Sequence, residues 1–207
     1  MKKTPKKSTS TILPIKPVQQ QDGYSCGLRA MQAFYWYFFG QKKGISDDMK
    51  AKLNASLIER LGVEHSLPYF PGRKTVESMF RLNGGGGTWP HDLMSVLHQD
   101  GFEMGTFTDF DELLPSMRES LGMGLPSFIL RNNFIHWVLI SGIEKNSLWI
   151  TDSMYEKPYR ESFGEFSENM NCAILVTGYS ECTRKGEYKY SEATALCLEM
   201  AGKTLGI

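Results

Sequence analysis

The chain has 207 residues, of which 41% are hydrophobic and 12% aromatic, so it is long and apolar enough to bury one substantial core. Its 23 basic and 23 acidic residues cancel, and this balance gives no indication of nucleic acid or an anionic membrane as a partner. No apolar run reaches transmembrane length, and the basic start MKKTPKKSTSTILP lacks the apolar segment of a secretory signal. We therefore expect no membrane insertion and a cytoplasmic location.

The N-terminal part of the sequence changes from a polar tail to an apolar helix. Residues 1–13 are rich in Lys, Ser, Thr and Pro and are predicted to be a disordered basic tail, followed by one domain over residues 14–207. The run from Leu28 to Phe39 predicts a helix buried on most sides, with Gly40 as its C-terminal stop. Cys26 would lie in its first turn, where free N–H groups and the helix dipole favour a thiolate.

Three segments after this helix predict further helices on the outside of the core. Ser46–Gly62 is amphipathic with Ser46 as its N-cap, and Thr88 is expected to cap a helix that runs through His98. A third helix is expected within Asp109–Leu121, with Pro115 as the place where it could break. Gly84–Gly87 lacks the Gly-Lys-Ser/Thr ending of a phosphate loop and is interpreted as a hinge or cleft-edge loop.

After Pro126 the sequence turns to β-branched and aromatic runs that predict an antiparallel sheet. Helices first and strands afterwards predict an α+β domain. Near the C-terminus, Ser191–Met200 has a helical pattern. The predicted strands are Ser127–Arg131, Ile135–Ile143, Ser147–Thr151 and Cys172–Thr177.

The four cysteines form no CxxC pair, which argues against a disulfide framework and a zinc site. Cys172, Cys182 and Cys197 are interpreted as plain thiols. Cys26 remains as the candidate nucleophile, and no metal or organic cofactor is required for its chemistry.

A cysteine nucleophile needs a base, and the base needs an acceptor that orients it. Of the four histidines, His136 begins the most apolar predicted strand, where an imidazole is costly to bury without partners. The alternative interpretation is that His136 is a core histidine whose ring is hydrogen-bonded to the backbone. Asp152 ends the next strand, and in such a hairpin it lies beside the start of the first strand; alone, it could simply be a turn residue.

An oxyanion donor is expected shortly before Cys26. Gln20 could turn its amide towards the position of a tetrahedral oxyanion, next to the Cys26 N–H. Gln19 and Gln21 are equally compatible with the residue types, so the sequence leaves the choice among the three open.

These residues together resemble the papain-like cysteine peptidases, in particular the bacteriocin-processing peptidases and their stand-alone relatives. The resemblance runs from about Gln19 to Val176 and is carried by Gln20, Cys26-Gly27, GTWPHDLMSVLHQDGF and HWVLISGIEKNSLWITD. It implies a helical part packed on an antiparallel sheet with the active-site cleft between them. It also implies Cys26 as nucleophile, His136 as general base, Asp152 as the residue orienting His136, and Gln20 as the oxyanion donor.

Two positions depart from the pattern of that family. The family often has Asp before its cysteine and Asp-Pro after the second strand, where this chain has Ser25 and Asp152-Ser153. Neither departure removes a catalytic group, but both leave the substrate open. Family members that mature bacteriocins are usually fused to a membrane transporter and cut after a double glycine, and we do not carry that substrate over.

The leading hypothesis is a cysteine peptidase that hydrolyses a peptide or amide bond in a peptide or protein substrate. The alternatives are a deamidase, transglutaminase or cell-wall amidase with the same triad, and an inactive papain-like domain that binds a peptide. The basic tail without a signal peptide also suggests an effector or toxin exported without a cleaved signal.

Overall fold

The computed structural model describes residues 10–23, 25–43, 45–61, 88–133 and 135–180. Within these ranges it has helices and an antiparallel sheet, so the predicted α+β class is confirmed. None of these helices is long and apolar enough to cross a bilayer. The helices are α1 (Cys26–Lys43), α2 (Asp47–Leu61), α3 (Pro90–Gln99), α4 (Phe110–Gly122) and α5 (Phe163–Asn169). The strands are β1 (Thr11–Ile12), β2 (Phe102–Phe107), β3 (Ser127–Arg131), β4 (His136–Glu144), β5 (Ser147–Thr151), β6 (Tyr159–Ser162) and β7 (Met170–Tyr179).

The seven strands form one sheet in the order β2-β7-β3-β4-β5-β6, and β1 also pairs with β4. All of the pairings are antiparallel. Across β3 and β4, Arg131 lies opposite His136, and across β4 and β5, Leu139 lies opposite Thr151. This register brings the start of β4 and the end of β5 to the same edge of the sheet.

The strands with strong β-forming residues lie where they are predicted, whereas three others are missed. β3 and β5 have the predicted bounds, β4 is shifted by one residue, and β7 is longer than predicted. β2 and β6, with the sequences FEMGTF and YRES, carry too many charged or small residues to show an alternating apolar pattern. β1 falls within residues 1–13, where we expected disorder; Thr11–Ile12 pairs with Ile143 and Gly142, so ordered structure begins before residue 14.

Two predicted helix boundaries are wrong. Gly40 does not end α1, which continues to Lys43, and its φ is not in the left-handed region that a glycine stop needs. Thr88 does not cap α3; Trp89 holds that position, and its N–H donates to the Asp92 carboxylate at 3.0 Å. Thr88 instead contacts β4, because its backbone carbonyl accepts the indole N–H of Trp137 at 2.6 Å.

The remaining helix predictions agree with the structure. Ser46 caps α2 by accepting the Met49 N–H at 3.2 Å, and Asp109 caps α4 by accepting two backbone N–H groups. α4 runs through Pro115 without a break. The Gly84–Gly87 loop and the Ser191–Met200 helix lie outside the described residues, as do Cys182 and Cys197.

The core lies between α1 and the sheet. An aromatic cluster joins them, with the ring centroids of Phe34 and Phe38 5.0 and 4.9 Å from that of Phe102. At the other end of α1, a Cβ on Gly27 would lie 2.5 Å from the Thr88 side chain and 3.0 Å from Trp137, so only glycine fits there. These contacts hold the first turn of α1 against β4, where the candidate site lies.

Candidate active site

Cys26 is the first residue of α1, and the residue is 5% exposed. The loop before it is held by Asp22, whose carboxylate accepts the Ser25 N–H at 2.7 Å, and Ser25 in turn accepts the Arg29 N–H at 2.9 Å. The Cys26 thiol faces the loop before β4, with its sulfur 4.0 Å from the Ile135 carbonyl oxygen. The predicted position of this thiol in the first turn of a buried helix is therefore observed.

His136 and Asp152 meet as the hairpin argument predicts. The His136 Nε2 lies 2.8 Å from the Asp152 Oδ1, and the two side chains are 15% and 5% exposed. The same carboxylate oxygen accepts the Met154 N–H at 2.8 Å, which keeps the carboxylate in place after the end of β5. Because Asp152 occupies Nε2, the other ring nitrogen, Nδ1, is the one available to the Cys26 thiol.

The charge state of His136 follows from its neighbours. Burial lowers the pKa of the ring, but hydrogen bonds from the ring to Asp152 and Cys26, together with the charges of both groups, outweigh burial and raise the pKa to about 9. An imidazole with this pKa is protonated at neutral pH. The site therefore holds an imidazolium between the Asp152 carboxylate and the Cys26 sulfur.

We expect the His136 ring to titrate near pH 9 in an NMR experiment, well above its ordinary value of 6.5. Replacing Asp152 with asparagine removes a charge but keeps an acceptor, so the pKa should fall towards 6.5. Since the folded-state pKa is raised, the protonated ring stabilises the fold below pH 6.5, and this contribution is lost as the pH rises through 9. A His136→Asn variant assigns the resonance, and a ring titrating at 6.5 in the wild type would contradict the ion pair.

The structure distinguishes Gln20 from its two glutamine neighbours. Gln19 and Gln21 are exposed, whereas Gln20 is half-buried and lines the same cavity as His136 and Asp152. Its amide N–H donates to the Asp22 carbonyl at 2.7 Å, and its amide oxygen accepts the Ser153 hydroxyl at 2.6 Å. The amide nitrogen carries a second N–H.

The two departures from the family pattern have physical explanations in the site. Ser153, which stands where the family has proline, fixes Gln20 through its hydroxyl and also accepts the Gln20 backbone N–H at 3.0 Å. Ser25 is fully buried, and its hydroxyl finds no hydrogen-bond partner within the described ranges. A carboxylate at position 25 would be costly to bury, and Asp22 supplies one to the helix start instead.

A buried ion pair beside the site was not predicted from the sequence. Arg131, which lies opposite His136 in the sheet, donates two hydrogen bonds to Glu161 at 2.8 and 2.9 Å. Its side chain is 8% exposed, and that of Glu161 is 13% exposed. Burial lowers the pKa of Arg131, but Glu161 outweighs it and raises the pKa above its ordinary value, with a smaller effect from the Asp152 charge. The available signal was an arginine at the end of the apolar run SFILR.

An open cavity of about 580 Å³ adjoins these groups. Three of the catalytic candidates, Gln20, His136 and Asp152, line it together with the Arg131–Glu161 ion pair, and the other lining residues come from neighbouring loops and from β6. No group of three or more His, Cys, Asp or Glu side chains in the described ranges is arranged to hold a metal ion. The lining consists of Gln20, Asp22, Gly23, Arg131, Asn132, Ile135, His136, Asp152, Met154, Tyr155, Tyr159 and Glu161.

Comparisons with known proteins identify the fold. No protein-family model and no curated protein matches the sequence. A double glycine motif protease from an AMS/PCAT transporter, solved with its leader peptide, superposes with a TM-score of 0.53 at 15% identity, over 79% of this chain and 91% of that one. The peptidase domain of Streptococcus ComA, a bifunctional ABC transporter, superposes with a TM-score of 0.52 at 18% identity, over 79% and 98% of the two chains. The described chain thus has the papain-like fold of the bacteriocin-processing peptidase domains.

Proposed function

We propose that the protein is a cysteine peptidase that hydrolyses a peptide or amide bond with Cys26, His136, Asp152 and Gln20. One observation carries the proposal: the His136 ring lies between Cys26, at the start of a buried helix, and the buried Asp152 carboxylate. The Asp152 Oδ1 is 2.8 Å from the His136 Nε2, and Cys26 is the second hydrogen-bond partner of the ring. Nucleophile, base and orienting acceptor in this order are the arrangement of nucleophilic acyl transfer. The fold agrees with this assignment.

The reaction begins with the Cys26 thiolate, which attacks the carbonyl carbon of the scissile bond. As the tetrahedral intermediate collapses, the His136 imidazolium gives its proton to the leaving amine, and an acyl-thioester remains on Cys26. Water then attacks the carbonyl carbon of the thioester, and His136 takes a proton from this water molecule. The acid is released, and the thiolate and imidazolium form again. Asp152 holds the ring in position and stabilises its positive charge.

Gln20 is proposed as the donor to the oxyanion of this intermediate. Its carbonyl end is held by Ser153 and one N–H by Asp22, so the amide is oriented before substrate binds. A donor that needs no rearrangement contributes most to stabilising a developing charge. The Cys26 backbone N–H, free of an intrahelical acceptor at the helix start, is the natural second donor.

A peptide is the proposed substrate class. The first of the structures compared above was solved in complex with a leader peptide, so a protein of this fold binds a peptide. For this protein we extend that observation to a peptide or protein segment, without the double-glycine requirement. Nothing in the proposal requires a nucleic acid or a membrane.

The function is tested by incubating the protein with a diverse peptide pool in ¹⁸O-water and analysing the products by mass spectrometry. Hydrolysis should break chains and place one heavy oxygen in each new C-terminal carboxylate. A deamidase would leave the chains intact with a small mass gain, and a transglutaminase would join two chains. A pool that is unchanged, with Cys26 also resistant to iodoacetamide, would contradict all three activities and favour a binding domain.

A further inference from the structure

The rim of the cavity beside the site is unusually apolar for an exposed surface. Within the described ranges six large hydrophobic side chains are exposed, and three of them, Ile135, Met154 and Tyr155, line this cavity. They are 67%, 60% and 55% exposed. A group of exposed apolar side chains around a concave surface is typical of a binding site.

The position of the cavity relative to the sulfur decides which part of a substrate would enter it. Cys26 does not line the cavity, whereas His136 and Asp152 do, so the cavity lies on the imidazole side of the sulfur. The imidazolium must reach the nitrogen of the leaving amine, since it gives that nitrogen a proton. The segment that follows the scissile bond therefore extends over His136 towards the cavity.

The charged groups that line the cavity are already hydrogen-bonded to other protein groups, so they offer few contacts to a charged side chain of a substrate. Both oxygens of Glu161 accept hydrogen bonds from Arg131, and Asp152 already accepts from His136 and from the Met154 N–H. The third carboxylate in the lining, Asp22, accepts the Ser25 N–H. A basic substrate side chain could bind a carboxylate here only by breaking one of these buried contacts. The free energy lost in breaking the contact would exceed the free energy that a new, exposed ion pair contributes. An apolar side chain covers the rim without disturbing them.

We propose that this cavity is a specificity subsite for a large apolar or aromatic side chain on the residue immediately after the scissile bond. The inference rests on the proposed peptidase function and adds the class of residue that the enzyme selects. A volume of about 580 Å³ lies within the range of about 300–1,000 Å³ that is common for ligand pockets. Met154 and Tyr155 directly follow the Asp152-Ser153 pair, so the loop that orients His136 also forms the pocket.

The test uses the 207-residue chain and the peptide pool, and identifies the first residue of every new N-terminus. Leu, Met, Phe, Tyr and Trp should be enriched there. In purified peptides that differ only at this position, the ratio of kcat/KM for Phe to that for Gly should fall roughly 10-fold in Met154→Ala. Alanine keeps the backbone N–H that contacts Asp152, so the orientation of His136 is retained.

Met123→Ala is the matched control, because Met123 is 55% exposed and does not line the cavity. It should leave the Phe-to-Gly ratio unchanged. Cleavage with no preference at this position, a preference for basic or acidic residues, or an equal change in both variants would overturn the subsite while leaving the peptidase function in place. A wild-type protein that cleaves nothing in the pool would overturn both.

Discussion

Cys26→Ala is expected to lower kcat/KM for peptide cleavage by about four orders of magnitude or more, because no other group in the site can form the thioester. The variant should still fold. Only a sulfur atom is removed, at a residue that is 5% exposed, and we expect a loss in unfolding free energy of no more than about 1 kcal/mol. Steady-state kinetics and urea unfolding measure the two effects separately.

Cys172→Ala is the matched control for this prediction. Cys172, like Cys26, forms no disulfide within the described ranges, and it lies fully buried in β7. Its replacement should lower stability at least as much as that of Cys26 while leaving cleavage nearly unchanged. Retained activity in a folded Cys26→Ala protein would exclude the thiol mechanism. Equal loss of activity in both variants would trace the effect to folding.

Arg131→Leu is expected to destabilise the protein by about 3–5 kcal/mol, since it leaves the Glu161 carboxylate buried without its cation. The two hydrogen bonds at 2.8 and 2.9 Å are lost together. The midpoint of urea unfolding at pH 7 should therefore fall markedly.

Two further variants separate a buried ion pair from an ordinary surface contact. Arg131→Leu combined with Glu161→Leu removes both charges and should recover much of the lost stability. Lys52→Ala breaks the pair with Asp48, in which both side chains are more than two-thirds exposed at 77% and 72%, and should cost less than about 1 kcal/mol. If Arg131→Leu costs no more than Lys52→Ala, Glu161 is solvated and the ion pair has little structural importance.

The elements that could be predicted are those whose local pattern and packing agree. SFILR and SLWIT are β-forming in composition and buried in the sheet, and their bounds match the prediction. The helix cap at Ser46 depends on neighbouring residues alone and was also predicted correctly. β2 and β6 could not be found this way, because their pairing with β7 and β5 holds them in the sheet despite weak propensity.

In the candidate site, too, the contacts within one hairpin could be predicted from the sequence, whereas the contacts between distant segments could not. His136 and Asp152 were predicted as neighbours because one hairpin determines their separation, and they lie 2.8 Å apart. The contact that distinguishes Gln20 from Gln19 and Gln21 could not be predicted, because Ser153, which holds the Gln20 amide, is far away in sequence. Arg131 was missed because its partner Glu161 lies across the sheet, on a strand without a recognisable pattern.

The amino-acid sequence by itself determined the class of fold, the thiol at the start of a buried helix and the hairpin that presents an imidazole and a carboxylate. These features follow from residue periodicity and from contacts within a short stretch of chain. Only the tertiary structure decided the pKa of His136, the orientation of Gln20, the buried ion pair and the cavity, because each arises where distant segments pack together. Burial and neighbouring charge set these properties, and neither is encoded locally.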